Sequence, residues 1–84
     1  ALDGAVWGAF GTSGQRCTAT SRLILHRDIK EEFTNLLLER TQQLRLGLGT
    51  DPQTEVGPLI NSAQLQRVSH YLEIARGEGT KVLI

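Results

Sequence analysis

Cys17 is the residue of this chain with the widest chemical scope. It is the only cysteine among 84 residues and follows a turn that contains Gly14. A thiol becomes nucleophilic as the thiolate, which nearby cations, helix N-termini or backbone N–H groups favour. Gly14 permits close backbone approach, and Arg16 would add positive potential if it pointed inward. The alternative is a small buried cysteine that fills a corner of a core, since free cysteine is among the most buried residue types.

The two histidines are poorly placed to activate this thiol. A cysteine hydrolase needs a histidine base that a third group holds in position. His26 lies at the far end of a predicted strand from Cys17, and His70 lies in the middle of a predicted helix. Both are predicted to be surface or helix-face residues, so a thiol hydrolase is the weaker hypothesis. One cysteine and two histidines also provide no cysteine-rich zinc pattern, and we predict no metal site.

Glycines and acidic residues offer no second site. Gly47 and Gly49 begin like a dinucleotide fingerprint, but Pro52 stands where the third glycine belongs. The pair Glu31-Glu32 is better explained by the dipole of a helix N-terminus than by acid–base chemistry. The glycines therefore predict the end of a helix and a loop, and the glutamate pair predicts the first turn of a helix.

Charge and hydropathy narrow the range of partners. Nine basic side chains balance nine acidic ones, which argues against a nucleic-acid or anionic-membrane partner. No apolar run approaches the roughly 20 residues that span a bilayer. The chain also begins at Ala1 without the pattern of a signal peptide. A reducing compartment, the cytoplasm, is expected from the single cysteine.

The elements that must position Cys17 follow from hydrophobic spacing. A helical stripe runs from Leu2 to Phe10, and residues 11–14 should end it. The apolar run 23–25 predicts a strand buried on both faces. Asp28, with Glu31 in capping-box position, predicts the start of a helix that reaches about Leu46.

The second half predicts a loop, a helix and a final strand. Residues 47–60 form the loop, and Asn61 or Ser62 caps a helix that ends near Gly77. Residues 81–84 begin the last strand. The order helix-strand-helix-helix-strand predicts an α/β fold with parallel strands. Two strands with unpaired edges cannot form a protected sheet, so we expect an excerpt of a larger domain.

One segment resembles a known signature. The run Gly14-Gln15-Arg16-Cys17-Thr18-Ala19, continued by Thr20-Ser21-Arg22, is similar to the active-site cysteine motif of the NAD(P)-dependent aldehyde dehydrogenase superfamily. The likeness continues through Gly47-Leu48-Gly49-Thr50-Asp51-Pro52, the loop 56–60 and the helix that contains Gln64. The resemblance implies that residues 1–84 are an incomplete part of the catalytic domain, without the cofactor domain.

This resemblance implies a role for each matching residue. Cys17 would attack the aldehyde carbon to give a thiohemiacetal, with its own backbone N–H as half of the oxyanion hole. Oxidation by NAD or NADP leaves a thioester, which water hydrolyses to the carboxylic acid. Gly14 and Gln15 would shape the cysteine turn. Gln64 and Arg67 fall where the family contacts the cofactor ribose, although Gln64 also fits a capping box with Asn61.

Departures from the family pattern limit what the resemblance implies. Many members have an aromatic pair and an asparagine before the Gly-Gln step, whereas this chain has Gly11-Thr12-Ser13. That variant is weakly similar to semialdehyde-oxidising members. The family's base glutamate and oxyanion asparagine lie upstream, and residues 1–16 contain neither. We expect an aldehyde substrate and a homo-oligomeric parent enzyme, with the isolated chain inactive; the alternative is a non-enzymatic interaction or folding module.

Overall fold

Three α-helices and one 3-10 turn make up the regular structure of the chain. The computed structural model describes all residues, 1–84. Helix α1 is Leu2–Phe10, the 3-10 turn is Gly11–Gly14, helix α2 is Arg27–Gln42 and helix α3 is Ser62–Gly77. The three helices predicted from the sequence are therefore confirmed, although the bounds of α2 differ.

Helix α1 ends where the glycine predicts. The Gly11 N–H donates to the Trp7 carbonyl, and the backbone then leaves helical geometry at Gly11. α1 packs against the following turn and against α2. Val6, on the predicted apolar stripe, is buried with 6% of its surface exposed, whereas Trp7 lies off the stripe and is 61% exposed.

Helix α2 begins and ends earlier than the sequence predicts. Its N-cap is His26 rather than Asp28, and the His26 Nδ1 accepts a hydrogen bond from the Asp28 N–H at 3.2 Å. Asp28 lies instead in the first turn, where a carboxylate suits the helix dipole. The helix stops at Gln42 because the Arg45 carbonyl accepts hydrogen bonds from the N–H groups of Glu55 and Val56.

The two predicted strands do not form. Residues 23–25 and 81–84 have no secondary structure, and their backbone groups make no backbone hydrogen bond. A strand exists only when a neighbouring strand accepts and donates its hydrogen bonds. Neither apolar run has a pairing partner within these 84 residues. The predicted strand pattern is therefore not confirmed within these 84 residues.

The segment between α2 and α3 is the long loop that the sequence predicts, closed at its base. Leu46 and Val56 form an isolated parallel bridge, and the Gly47 N–H donates to the Val56 carbonyl at 3.2 Å. The loop then leads directly into α3. The Asn61 side chain caps that helix by accepting from the Gln64 N–H at 2.8 Å, as predicted.

The chain has almost no interior. Two residues are buried, and Val6 is the only hydrophobic one. Ile24 is 97% exposed. No helix is both long and apolar enough to cross a membrane. The large hydrophobic side chains left exposed are Trp7, Leu23, Ile24, Ile29, Leu36, Leu46, Leu48, Ile60, Leu65, Val68, Tyr71, Leu72, Ile74, Val82, Leu83 and Ile84. These 84 residues therefore do not cover their own apolar faces.

Candidate active site

The turn before Cys17 has an unusual backbone. Three successive residues have positive φ: Thr12 at 54°, Ser13 at 56° and Gly14 at 71°. Glycine adopts this left-handed conformation readily. For an L-residue the same conformation is less stable than the right-handed one by about 1–2 kcal/mol. Such strain persists where the surroundings over-determine the conformation, and it concentrates at functional sites. The turn that precedes the thiol is therefore held by specific contacts.

Arg16 provides one of these contacts, and it points back toward α1. Its guanidinium carbon lies 4.7 Å from the centre of the Trp7 ring, and Nη2 donates to the Trp7 carbonyl at 3.1 Å. A cation over an indole face and beside the C-terminal turn of a helix is favourable on both counts. The condition under which Arg16 would add positive potential at the thiol is therefore not met, and Arg16 instead fixes the residue next to Cys17 to α1.

Ser13 and Gln15 provide the other contacts, across more than 40 residues of sequence. The Ser13 hydroxyl donates to the Gly57 carbonyl at 2.6 Å. The Gln15 Oε1 accepts from the Ile60 N–H at 3.1 Å, and the Gln15 N–H donates to the Thr12 carbonyl. The side chains on either side of Gly14 therefore join the turn to the segment that precedes α3.

Cys17 itself is a free, exposed thiol on the loop that follows this turn. Within these 84 residues the thiol does not fill a buried corner. Neither histidine serves it: His26 caps α2, and the exposed His70 contacts Tyr71 ring to ring at 6.1 Å. The chain contains no Cys–His hydrogen bond of the kind that a thiol hydrolase requires.

An open groove of about 640 Å³ brings the cysteine turn next to α3. Its walls include Ser13 and Gln15 from the turn and Gln64 from the first turn of α3, so one predicted cofactor residue lines it. Cys17 and Arg67 do not line the groove. The full set of lining residues is Thr12, Ser13, Gly14, Gln15, Leu59, Ile60, Gln64 and Val68.

The capping box with Asn61, which is the alternative role predicted for Gln64, is only half formed. The Asn61 side chain accepts from the Gln64 backbone N–H, but the Gln64 side chain makes no hydrogen bond in return. A complete box requires that return bond to the N-cap N–H. The amide of Gln64 therefore remains free at the edge of the groove. No group of three histidine, cysteine or carboxylate side chains is arranged to hold a metal ion.

Comparison with known proteins decides the family. Residues 1–84, the whole chain, match the aldehyde dehydrogenase family. The chain belongs to this family. Betaine aldehyde dehydrogenase of Brucella anthropi is 39% identical over 79 residues, 94% of this chain and 16% of that protein. The 2,5-dioxopentanoate dehydrogenase of Saccharolobus solfataricus is 40% identical over 83 residues, 99% of this chain and 17% of that protein.

A solved aldehyde dehydrogenase has nearly the same backbone. A point mutant of Staphylococcus aureus betaine aldehyde dehydrogenase superposes with a TM-score of 0.95 at 32% identity, over 99% of this chain and 17% of that one. Its crystals contain NAD+ and a BME-modified cysteine. The aldehyde dehydrogenase relatives are α/β proteins, so the predicted class holds for the family. This chain spans about one-sixth of the length of its relatives.

Sequence reasoning missed part of this aldehyde dehydrogenase segment. The sequence predicts no role for Trp7, and Ser13 enters only as part of a departure from the family pattern. Their roles depend on contacts with Arg16 and Gly57 that no local pattern encodes. The one local signal was the pair of hydroxyl residues, Thr12 and Ser13, directly before Gly14. Hydroxyl side chains readily form hydrogen bonds with nearby backbone groups in turns.

Proposed function

We propose that the protein containing this chain oxidises an aldehyde to a carboxylic acid with NAD or NADP, using Cys17 as the nucleophile. The observation that carries the proposal is the family match over every residue together with an exposed thiol on a braced, strained turn. Functional sites use such held conformations to present one side chain at a fixed angle. A thiol that only filled a corner of a core would need no such presentation.

The chemistry proposed for Cys17 is nucleophilic catalysis. The thiolate attacks the aldehyde carbon, and the carbonyl oxygen becomes an oxyanion that the Cys17 N–H stabilises. NAD or NADP, when bound, supplies the acceptor for the hydride. The resulting thioester on Cys17 is hydrolysed by water, which releases the carboxylic acid and restores the thiol. A BME-modified cysteine in the solved relative supports a reactive thiol in this family.

The groove fits part of a dinucleotide. Ribose hydroxyls both donate and accept hydrogen bonds, and the free amide of Gln64 offers one donor group and one acceptor group. Gln64 and Arg67 would hold the ribose from the N-terminal half of α3, with the guanidinium of Arg67 in place of the family's usual lysine. Of these two residues only Gln64 lines the groove, so the fit within the groove depends on its amide.

We predict that Gln64→Ala, made in a full-length protein that contains this segment, raises the KM for NAD(P) by about 2- to 10-fold. Loss of one or two hydrogen bonds to the ribose corresponds to this range. Initial rates at saturating aldehyde measure it, and Arg67→Ala should act in the same direction. Gln43→Ala, at an exposed glutamine outside the groove, is the control. An unchanged cofactor KM in both α3 variants would contradict the assignment of Gln64 and Arg67.

The substrate proposal follows the relatives only in class. The matched proteins are named for betaine aldehyde, 2,5-dioxopentanoate and 1-pyrroline-5-carboxylate. An aldehyde is therefore proposed here, with semialdehydes as the first compounds to test because residues 11–13 lack the aromatic pair. We also propose a cytoplasmic homo-oligomer, on the basis of the family resemblance and the free thiol.

The isolated 84-residue chain is predicted to produce no NADH from aldehyde and NAD+. The family's base is absent from residues 1–16, and the apolar faces around the site lack a covering. NADH absorbance is compared between this chain, its Cys17→Ser variant and the full-length protein. Activity in the full-length protein alone supports the proposal. Cysteine-dependent turnover by the isolated chain would contradict the need for the missing part.

A non-enzymatic interaction module is the alternative function, and the exposed apolar side chains favour it. Exposed, unpaired apolar segments invite association with other chains. The same assay separates the two functions, because a module without chemistry gives no NADH even as the full-length protein. The strained cysteine turn favours the enzyme, since association alone does not require it.

A further inference from the structure

We propose that Ser13 and Gln15 are positioning residues that form a two-point clamp between the Cys17 turn and the segment 57–60 in front of α3. This inference rests on the proposed function, because it assigns the clamp the task of fixing the distance between the thiol and the cofactor helix. Neither side chain needs to touch a substrate or a cofactor to do this.

The turn needs the clamp because its backbone is unfavourable by itself. Thr12 and Ser13 have φ of 54° and 56°, a conformation that L-residues rarely adopt twice in succession. Within the turn, the Gln15 N–H donates to the Thr12 carbonyl at 3.1 Å and the Thr12 hydroxyl donates to the Gly11 carbonyl at 2.6 Å. These contacts are local. They cannot determine where the turn lies relative to α3.

The first point of the clamp satisfies a carbonyl that has no other partner. The Ser13 hydroxyl donates to the Gly57 carbonyl at 2.6 Å, and this is the only hydrogen bond to that carbonyl within the chain. The next residue, Pro58, has a fixed φ and no N–H, so the loop is stiff at this position. Ser13 thus binds a rigid part of the loop.

The second point lies one residue before the N-cap of α3. The Gln15 Oε1 accepts from the Ile60 N–H at 3.1 Å, and that N–H has no other acceptor. Asn61 follows at once and caps the helix through the Gln64 N–H. A short series of hydrogen bonds therefore connects Gln15 to the backbone of Gln64.

The two ends of the clamp lie beside the two halves of the proposed site. Cys17 is two residues after Gln15, and Gln64 is four residues after Ile60. When the clamp is lost, the turn and α3 can move relative to each other while thiol and helix both remain. Displacements of this kind lower catalysis even when every catalytic group is present. The clamp should therefore affect both kcat and the KM for the cofactor.

The test uses matched substitutions in the full-length protein. Ser13→Ala removes the hydroxyl but retains the Cβ. Ser13→Gly removes the hydroxyl and also the strain that a side chain causes at this positive φ. Gln15→Met removes the acceptor for the Ile60 N–H, whereas Gln15→Glu retains it. We expect Ser13→Ala, Ser13→Gly and Gln15→Met each to raise the KM for NAD(P) and lower kcat by about 2- to 10-fold. Gln15→Glu should remain nearest to the wild type.

Hydrogen exchange at the Ile60 amide gives a readout independent of activity. Exchange should become faster by about 2- to 10-fold in Gln15→Met and should stay near the wild-type rate in Gln15→Glu. Ser69→Ala and Gln43→Met are the matched controls, because both side chains are exposed and make no hydrogen bond. These two variants should leave the exchange of Ile60 unchanged.

The remaining outcomes separate the clamp from the function on which it rests. Unchanged kinetics and exchange in Ser13→Ala and Gln15→Met would overturn the clamp. Wild-type kinetics in Ser13→Gly would also overturn the clamp, because the turn would then keep its position without the Ser13 hydroxyl once the backbone strain is removed. A wild-type protein that oxidises no aldehyde would refute the proposed function, and the Ile60 exchange rates would still decide whether the hydrogen bond from Ile60 to Gln15 holds the segment.

Discussion

Serine in place of Cys17, in a full-length protein that contains this segment, is expected to lower aldehyde oxidation by at least roughly 10³-fold. A hydroxyl is a far weaker nucleophile than a thiol near neutral pH, and neither His26 nor His70 is bonded to this position to activate it. The thiol and the hydroxyl are similar in size, so the fold should tolerate the change. The loss should therefore lie in kcat.

Three measurements separate this chemical effect from damage to the fold. NADH formation under saturating aldehyde gives kcat, the thermal midpoint reports folding, and fluorescence titration reports cofactor binding. Cys17→Ser should retain the midpoint and the cofactor affinity of the wild type. Thr18→Ser, a hydroxyl-retaining change at the next exposed position, is the control and should retain activity. A Cys17→Ser variant with wild-type rates would refute the assignment of the nucleophile.

Local patterns predicted the helices well because their signals lie within a few residues. The stripe of α1, the Asn61 cap of α3 and the glycine-rich loop all appear where the sequence indicates. The end of α2 was predicted too late because Arg45 is held by residues 55 and 56, ten positions further on. Its start was misplaced because a histidine nitrogen, outside the preferred set of capping residues, accepts the capping bond.

The strand predictions were not confirmed for a different reason. A helix completes its hydrogen bonds internally, whereas a strand depends on a neighbour that can lie anywhere in the sequence. Residues 23–25 and 81–84 are apolar enough for a buried sheet, but they find no partner in each other. Ile24 at 97% exposure shows how much of the apolar pattern depends on chain outside these residues.

The sequence predicts Cys17 and Gln64 as site residues, which stays a prediction, but it does not predict the contacts that hold the cysteine turn in place. Cys17 followed from its type and its motif, and Gln64 from the family pattern. The bracing of the turn by Ser13, Gln15 and Arg16 was not predictable, because each partner is a backbone group or ring chosen by tertiary placement. A positive φ at two non-glycine residues likewise has no sequence signature.

Valine in place of Gly14 is expected to reduce both stability and catalysis. Gly14 has φ of 71°, and a Cβ built there lies 3.1 Å from the Ala9 carbonyl oxygen. A β-branched residue is a strong outlier at this φ, and the oxygen belongs to the backbone of α1, which cannot swing aside. We expect a loss of about 1–3 kcal/mol in the free energy of unfolding. A turn displaced by about 1 Å would lower kcat by roughly 10²-fold.

Two further glycines allow the causes of this loss to be separated. Gly79 has φ of 77° but open space around its Cβ, and Gly49 has neither a positive φ nor a neighbour within 4 Å. Gly79→Val should therefore lose stability through its backbone alone and retain kcat, because it lies at the end of α3 away from the cysteine turn. Gly49→Val should change neither. Equal kcat losses in Gly14→Val and Gly79→Val would contradict a specific role for the turn, since general destabilisation would then explain both. A loss of kcat confined to Gly14→Val would assign that role to the left-handed turn that presents Cys17.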